Sequence, residues 1–335
     1  MTVVLDKSDL PTVTNEGPIA PRDGLGLRGS GAPLEIGLLN NMPDTALQAT
    51  ERQFVRVLQA AAGERVVRLH FYSLPTVARS AEARAHLDVA YHDIADLRQA
   101  RLDGLIVTGA EPKTELLQQE PYWPELSGII DWAKTNTAST IWSCLAAHAA
   151  VLHLDHVVRR RLPAKCSGVF ASERAAVDPL IDGLRWPLRI FHSRHNDLAE
   201  DDLVANGYSV LTRVPGAGVD IFVKRYQSLF VFFQGHPEYD PLSLRGEYLR
   251  DVGRFLNGTQ ESYPAAPAGY FDRETAAALD DLHLRALATP DPAMVAECRA
   301  ILDRADVNFD RRGAAGTIFR NWLAYLATSK AERAR

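Results

Sequence analysis

The stretch TASTIWSCLAAHAAVLHLDHV, residues 137–157, decides the fold class of this chain. Its first seven residues are rich in β-branched and aromatic side chains, as buried strands are, and the alanine-rich remainder favours a helix. No turn sequence separates the two parts, so we expect Cys144 to lie at a tight junction between a strand and a helix. Strands that pass directly into covering helices are typical of α/β folds.

The sequence on both sides of this stretch repeats the alternation of strands and helices. Apolar runs at 34–39, 66–74 and 103–110 are predicted strands, each followed by a helical pattern. Later in the chain, three closely spaced strands are predicted at 208–214, 219–225 and 228–234, and amphipathic helices at 241–256 and 316–335. These elements predict an α/β fold of the flavodoxin-like type, with a mostly parallel sheet and helices on both faces.

The domain boundaries follow from composition. Residues 1–33 are rich in Gly, Pro and Asp and have no apolar periodicity, so they are predicted to be a flexible N-terminal leader, with folding starting at Leu34. Residues 34–335 are predicted to form a single domain. The charged helices of 274–307 are predicted to be a helical insertion in that domain.

Composition excludes several classes of protein. The 335 residues are 46% hydrophobic and 24% charged, which is typical of a globular chain. A net charge of −5 provides no basic field for nucleic acid or an anionic membrane. No apolar run is long enough for a membrane span and no signal peptide is recognisable, so we expect a cytoplasmic protein. The 3 cysteines form no CxxC pair, which argues against a disulfide framework or structural zinc.

Cys144 is the first candidate for catalysis. A thiolate at a strand-to-helix junction faces the first amides of the helix, which stabilise its charge, and the N–H of Leu145 could serve as an oxyanion donor. The alternative is a buried cysteine that acts as a small apolar group. A general base elsewhere in the chain would favour catalysis.

Such a base is present in QGHPEYD, residues 234–240. This segment follows the most apolar strand, so it projects from the carboxyl edge of the sheet, where α/β folds bind ligands. His236 and Glu238 are two residues apart, and in extended chain their side chains point the same way, so the carboxylate can orient the imidazole. The alternative is a loop histidine beside an unrelated glutamate.

Together these segments resemble the class I glutamine amidotransferase-like superfamily, and within it the homoserine O-acyltransferase branch, the homoserine O-succinyltransferase family. The resemblance covers about residues 35–328. It depends on the nucleophile helix, on QGHPEYD, and on LLNNMPDTALQATERQF, DGLIVTGA, EPYWPEL, LPAKCSGVF, FHSRHND, GEYLRD and RNWLAYL.

The resemblance implies roles for individual residues. It implies Cys144 as the acyl-thioester nucleophile, His236 as general base and Glu238 as its orienting group. It also implies that substrate-binding contacts to the amino acid come from three polar side chains, Lys165, Ser193 and Arg250. Each of these three could instead be an ordinary surface or turn residue.

Several positions depart from the family pattern. No aromatic residue follows Cys144, the MPDTALQATE spacing is about two residues longer, and TGAEPK replaces the usual TGAP. Pro112 has no N–H, so the oxyanion site would need Leu145 together with another amide, such as that of Glu111. In this family the residue after that loop is associated with acyl-donor specificity. Lys113 stands there, and its charge would favour the carboxylate of succinyl-CoA over acetyl-CoA.

Other candidates are weaker. The histidines at 148, 153 and 156 lack the partners of a metal site, so we expect no metal. The arginines at 159–161 are predicted to form a solvated turn, with a CoA phosphate contact as the alternative. Cys166 lies beside Lys165 but has no following base, and Cys298 is expected to be inert.

The resemblance therefore implies a ping-pong acyltransferase in methionine biosynthesis, most consistent with succinyl-CoA and homoserine. Acyl-CoA would be a co-substrate and no bound cofactor is expected. The substrates are small molecules, no nucleic acid or membrane partner is expected, and a homodimer is compatible with the sequence. The alternatives are acetyl transfer, another acceptor such as serine, glutamine hydrolysis by an amidotransferase, and a binding protein that has lost activity.

Overall fold

The computed structural model describes residues 3–6, 12–14, 17–19, 32–308 and 313–335, and of 12–14 and 17–19 only the backbone. The strands in chain order are β1 Val3–Leu5, β2 Thr12–Thr14, β3 Gly17–Ile19, β4 Leu34–Leu39, β5 Val67–Tyr72, β6 Gly104–Val107, β7 Ser139–Ser143, β8 Arg160–Arg174, β9 Leu188–Asp197, β10 Ser209–Val210, β11 Thr212–Val214, β12 Gly218–Val219, β13 Ile221–Arg225 and β14 Leu229–Phe233. The helices are α1 Asp44–Ala62, α2 Ala81–Ala90, α3 Ile94–Gln99, α4 Trp123–Asn136, α5 Leu145–Asp155, α6 Glu200–Ala205, α7 Ser243–Leu256, α8 Arg273–Ala288, α9 Met294–Arg304 and α10 Ala314–Arg333.

The main sheet has eight strands in the order β1-β5-β4-β6-β7-β14-β13-β10. The first six strands in this order pair in parallel, and β13 and β10 continue the sheet in antiparallel pairing. A smaller antiparallel sheet has the order β12-β11-β8-β9. The mostly parallel α/β fold predicted from the sequence is confirmed.

Helices cover both faces of the main sheet because the strand side chains are apolar on both sides. On one face, Ile106 and Ile141 pack with residues of α1 and α10, among them the fully buried Trp322. On the other face, Val107 and Trp142 pack with residues of α4 and α5. Continuous apolar strands of this kind are expected for a parallel sheet buried on both faces.

The N-terminal segment differs in part from the predicted leader. Residues 3–5 form β1, an edge strand of the main sheet that pairs with β5 from Val3↔Val67 to Leu5↔Leu69, and Val3 is buried. The prediction that 1–33 is flexible and that folding starts at Leu34 is therefore wrong for this strand. The run VVL is too short to show periodicity, and pairing with β5 determines its conformation. Residues 7–11, 15–16 and 20–31, also within that prediction, lie outside the described residues.

The predicted helical insertion at 274–307 contains α8 and α9, joined through the TPDPA segment. These helices do not pack on the main sheet in the described contacts but form a separate apolar cluster with α7, through residues such as Val252, Leu282 and Cys298. The insertion thus supports the helix on which Arg250 lies. Among the residues that the structure describes, no helix is long and apolar enough to cross a membrane.

Candidate active site

Cys144 lies between the end of β7 and the start of α5, as the sequence predicts. Its backbone has φ 52° and ψ −111°, a conformation that non-glycine residues rarely adopt and that is common at functional sites. The Cys144 N–H donates to the carbonyl of Phe233 at 2.7 Å, and the Cys144 carbonyl accepts from the N–H of Ala147 at 3.0 Å. These bonds hold the half-buried Cys144 at the N-terminal end of α5.

The loop after β6 approaches the junction closely because residue 109 is glycine. A Cβ atom on Gly109 would lie 2.4 Å from the Leu145 Cβ and 3.1 Å from its Cα. Leu145 is the first residue of α5, and the first N–H groups of a helix have no acceptor within it. The Leu145 amide therefore remains a candidate oxyanion donor.

The rest of that loop is fixed by a buried carboxylate. Glu120 accepts hydrogen bonds from the backbone N–H groups of Lys113 and Thr114, both at 2.6 Å. The Lys113 amide is thus engaged by protein, while its side chain is exposed. Glu111 instead turns toward α7 and makes a two-pronged ion pair with Arg254, at 3.1 and 3.2 Å.

His236 and Glu238 lie beside Cys144 because β14 is the parallel neighbour of β7. The register Phe233↔Ser143 places the two strand ends level, and the turn after β14 carries both residues. The Nδ1 atom of His236 is 2.9 Å from Oε1 of Glu238, which also accepts from the Ser143 hydroxyl at 3.2 Å. Both side chains are buried. The carboxylate fixes the tautomer and leaves Nε2 for proton transfer.

The electrostatics of this set favour a charged imidazole. Burial alone would lower the pKa of His236, but the charges of Cys144 and Glu238 and the hydrogen bonds to both outweigh it and raise the pKa well above its ordinary value. A protonated imidazole beside a thiolate is the ion pair that activates a nucleophilic cysteine. The structure thus brings together Cys144, His236 and Glu238.

The three predicted contacts to the amino acid also converge, around two carboxylates on α7. Lys165 Nζ lies 2.7 Å from Oδ2 of Asp251 and 3.4 Å from Oε2 of Glu247. Arg250 donates through Nε to Asp251 at 2.8 Å, and the Ser193 hydroxyl donates to Glu247. Lys165 reaches this position from an irregularity in β8, where pairing with β9 shifts between Arg161 and Cys166.

Tyr239 connects the charged residues around Glu247 and Asp251 to the set of Cys144, His236 and Glu238. Its ring stacks on His236 at a centroid distance of 4.1 Å, and its hydroxyl donates to Oε1 of Glu247 at 2.5 Å. Burial alone would raise the pKa of Glu247, but Lys165 and the hydrogen bonds from Ser193 and Tyr239 hold it below its ordinary value. A charged, half-buried carboxylate therefore lies close to the His236 imidazole, with the Tyr239 side chain between them.

Glu247, Asp251 and Tyr239 are not among the site residues predicted from the sequence. All three occur in the motifs QGHPEYD and GEYLRD. The spacing gave a usable signal, because Glu247, Arg250 and Asp251 at i, i+3 and i+4 share one face of a helix.

The histidines of α5, the arginines after it and the other two cysteines do not form a second site in the described residues. His148 is buried against Gln234, while His153 pairs with Asp131 on the surface, so the three helix histidines make no common metal site. Arg159 donates to the carbonyl of Glu115 at 3.2 Å rather than lying in a free turn. Burial raises the pKa of the Cys166 thiol and raises that of Cys298 to about 12, so both are poorer nucleophiles than a thiolate.

Fold and site define a class, the α/β enzymes in which a cysteine at a strand–helix junction acts with histidine and glutamate. A sequence profile of one such group, described as homoserine O-succinyltransferase, matches residues 10–333. The chain belongs to the homoserine O-succinyltransferase family.

Individual relatives agree with this assignment. The chain is 56% identical over 295 residues to a homoserine O-succinyltransferase of Rhodopseudomonas palustris, covering 88% of this chain and 89% of the relative. It is 52% identical to that of Bradyrhizobium japonicum, covering 88% and 90% of the two chains. A solved glutamine amidotransferase from Thermotoga maritima is 10% identical with a TM-score of 0.49, covering 88% and 98%, a likeness too weak to indicate function.

Proposed function

We propose that this chain transfers the succinyl group of succinyl-CoA to the hydroxyl of homoserine, through a thioester on Cys144. The observation that carries the proposal is the hydrogen-bonded set of Cys144, His236 and Glu238 directly beside a charged amino-acid pocket. Membership of the homoserine O-succinyltransferase family supports the reaction type and the acceptor.

In the first half-reaction, the Cys144 thiolate attacks the thioester carbonyl of the acyl-CoA. The tetrahedral oxyanion forms near the Leu145 N–H, where a preorganised amide stabilises the developing charge. The bond from the carbonyl carbon to the CoA sulfur then breaks. CoA leaves as a thiol after the His236 imidazolium gives up its proton, and the acyl group remains on Cys144.

In the second half-reaction, acylation itself prepares the base. The charge of Cys144 is a main cause of the raised pKa of His236, and the acyl-thioester no longer carries that charge. Acylation therefore lowers the pKa of the imidazole, which can then take the proton of the acceptor hydroxyl. The alkoxide attacks the thioester, the ester product leaves, and the thiolate–imidazolium pair is restored.

The acceptor pocket suits a zwitterionic amino acid. Arg250 presents a planar guanidinium and Lys165 an ammonium group, which fit an α-carboxylate. Glu247 is a half-buried carboxylate with a lowered pKa, which fits the α-ammonium group. The hydroxyl on the side chain of homoserine would then extend past Tyr239 toward His236, along the contacts that already join the two sites.

A groove next to this pocket fits the phosphates of CoA. A cavity of about 470 Å³ between α7 and α9 is lined by three arginines, Arg250, Arg254 and Arg299. Guanidinium groups form bidentate hydrogen bonds with phosphate. Arg254 also pairs with Glu111, which lies in the same loop as Lys113. The helical insertion thus supplies one wall of the proposed CoA site.

Intact-mass measurement tests the proposal directly. The protein mixed with succinyl-CoA alone should gain one succinyl group, and homoserine should discharge it. Cys144→Ala should not be acylated, whereas Cys166→Ala should behave as the parent protein. Discharge by serine but not homoserine would reassign the acceptor. Ammonia released from glutamine without acyl transfer would overturn the proposal in favour of an amidotransferase. The cytoplasmic location, the homodimer and the lack of a bound cofactor remain predictions.

A further inference from the structure

A second group of ligand-bearing side chains lies at the other end of the parallel sheet. Asp6, His70 and His92 each offer one atom, and these atoms all lie within 4.8 Å of one another. Of these residues, His70 is on β5, which is three strands from β7 in the sheet order, so roughly 14 Å separates the group from the strand before Cys144. It takes no part in the proposed acyl transfer.

Three separate segments bring the group together at one edge of β5. The β1 register ends at Leu5↔Leu69, so Asp6 follows directly alongside His70. Past the end of β1, the segment that follows α2 pairs with the same edge of β5, through a parallel bridge between Tyr72 and His92. The His92 N–H donates to the carbonyl of Phe71 at 2.8 Å, which fixes the backbone there.

The distances match those of ligands around one metal ion. Oδ2 of Asp6 is 3.2 Å from Nδ1 of His70 and 3.5 Å from Nε2 of His92. Zinc bonds of 2.0–2.2 Å in tetrahedral geometry place neighbouring ligand atoms about 3.3–3.6 Å apart. The two distances from Asp6 are close to that spacing, and all three ligand atoms lie within 4.8 Å of one another.

The surroundings provide the supporting contacts of a metal site. Oε2 of Glu35 is 2.8 Å from Nε2 of His70, so it can accept that N–H and leave Nδ1 with its lone pair toward Asp6. Metal-binding histidines usually have such a carboxylate partner. The His70 and His92 rings also pack together, at a centroid distance of 5.5 Å.

The local charge also favours a cation. Two carboxylates, Asp6 and Glu35, lie within 3.2 Å of the His70 ring nitrogens. The positive charge of Arg68 is already paired with Glu35, at 2.6 Å. Asp6 is 39% exposed, so an ion could enter from solvent.

We propose that Asp6, His70 and His92 bind one divalent transition-metal ion, with Zn²⁺ the best fit, and that the ion fastens β1 to the sheet. Two imidazoles and one carboxylate favour Zn²⁺ over Mg²⁺ or Ca²⁺, and three protein ligands leave a position for water. The role is structural, because β1 pairs with β5 over only three residues and ends at the proposed site.

Zinc titration of the untagged, EDTA-treated protein tests this proposal. All samples carry Cys144→Ala, because the active-site thiol could bind Zn²⁺ itself. Calorimetry should show one Zn²⁺ per chain, Co²⁺ should give the visible absorption of a site without sulfur ligands, and the thermal midpoint should rise with Zn²⁺. Asp6→Asn and His92→Asn should each weaken binding about tenfold or more.

A matched control is available on the surface of α5. His153 pairs with Asp131 at 2.9 Å, as His70 does with Asp6, but the described residues provide no third ligand there. His153→Asn should leave binding unchanged. The proposal would be overturned if Asp6→Asn, His92→Asn and the control bound Zn²⁺ with equal affinity, or if the parent protein did not bind it. Hydrogen bonds from Asp6 to the two histidines would then explain why these side chains lie together. These readouts do not depend on acyl transfer.

Discussion

Glu238 contacts the His236 imidazole through a single oxygen, which also accepts from Ser143. Its second oxygen is buried and has no hydrogen-bond partner among the described residues. The Glu238 carboxylate therefore contacts few side chains besides His236, so a substitution there can change the reaction rate without unfolding the protein.

Replacing Glu238 by Gln should slow turnover about a hundredfold to ten-thousandfold while the fold persists, because the imidazole loses its orienting and charge-stabilising partner. The measurement is kcat together with the thermal midpoint. Ser143→Ala is the control, because it removes the other contact of the same oxygen and should have a much smaller effect. A near-normal kcat in Glu238→Gln would contradict the assigned role.

Lys113 tests donor specificity at the scale of one residue. Its backbone is fixed by Glu120, but its side chain is exposed, so water screens any contact with the succinyl carboxylate. Lys113→Glu should lower the ratio of kcat/KM for succinyl-CoA over acetyl-CoA by about tenfold at most. Lys134→Glu, near the end of α4, is the charge-matched control. A parent preference for acetyl-CoA, or an unchanged ratio, would remove Lys113 from the account of specificity.

At the scale of elements, the sequence predicted the strands and helices that have strong apolar patterns and missed the hairpin β8–β9. The segment 160–174 is largely exposed and contains Pro163, so it carries neither the apolar run nor the alternation that indicates a strand. Likewise, 208–214 was predicted as one strand but is divided into β10 and β11, which belong to different sheets. Both differences arise because tertiary pairing determines these strands.

The missed hairpin matters because it holds Lys165 and Ser193. The family resemblance identified these residues, but the pattern of the sequence could not place them, since Ser193 lies on the missed strand β9 and Lys165 lies in the irregular part of β8. The positions of Cys144 and His236 could, in contrast, be predicted from the sequence. Both residues follow strongly apolar strands that pair in parallel, and the carboxyl ends of parallel strands meet at one edge of the sheet.

The groove between α7 and α9 leads to a prediction about CoA. Arg299 is exposed on α9 and lines the groove, so Arg299→Ala should raise the KM for succinyl-CoA about fivefold, corresponding to ~1 kcal/mol for an exposed charge pair. The KM for homoserine should not change, and the effect should shrink at high salt. Arg304→Ala, on the same helix and not among the groove residues, is the control. Equal effects of the two substitutions would place the phosphates elsewhere.

At the scale of the whole molecule, the catalytic edge of the sheet is supported by buried histidines that must stay neutral. His148, four residues after Cys144, donates from Nε2 to the Gln234 side chain at 3.0 Å, and Gln234 precedes the loop with His236. Burial, with further repulsion from Arg194 and Arg159, lowers the pKa of His148 to about 3. Burial likewise lowers the pKa of His192 well below its ordinary value.

These two histidines predict a loss of stability in mild acid. Each has a lower pKa folded than unfolded, so its contribution is complete above the unfolded value of 6.5 and falls as the pH drops toward the folded value. Between pH 7.5 and 5.5, each should remove about 1.4 kcal/mol from the free energy of unfolding. Carboxylates with lowered pKa values, such as Glu247 and Asp251, add their losses only at lower pH.

Denaturant unfolding of His148→Gln at the two pH values isolates one of these contributions. Glutamine cannot take up a proton, so the variant should lose about 1.4 kcal/mol less than the parent protein between pH 7.5 and 5.5. Any loss of packing in the variant acts at both pH values and cancels in the difference. If His148→Gln and the parent protein lose stability equally, His148 is not the group that couples this fold to pH, and the cause must lie with His192 or the carboxylates.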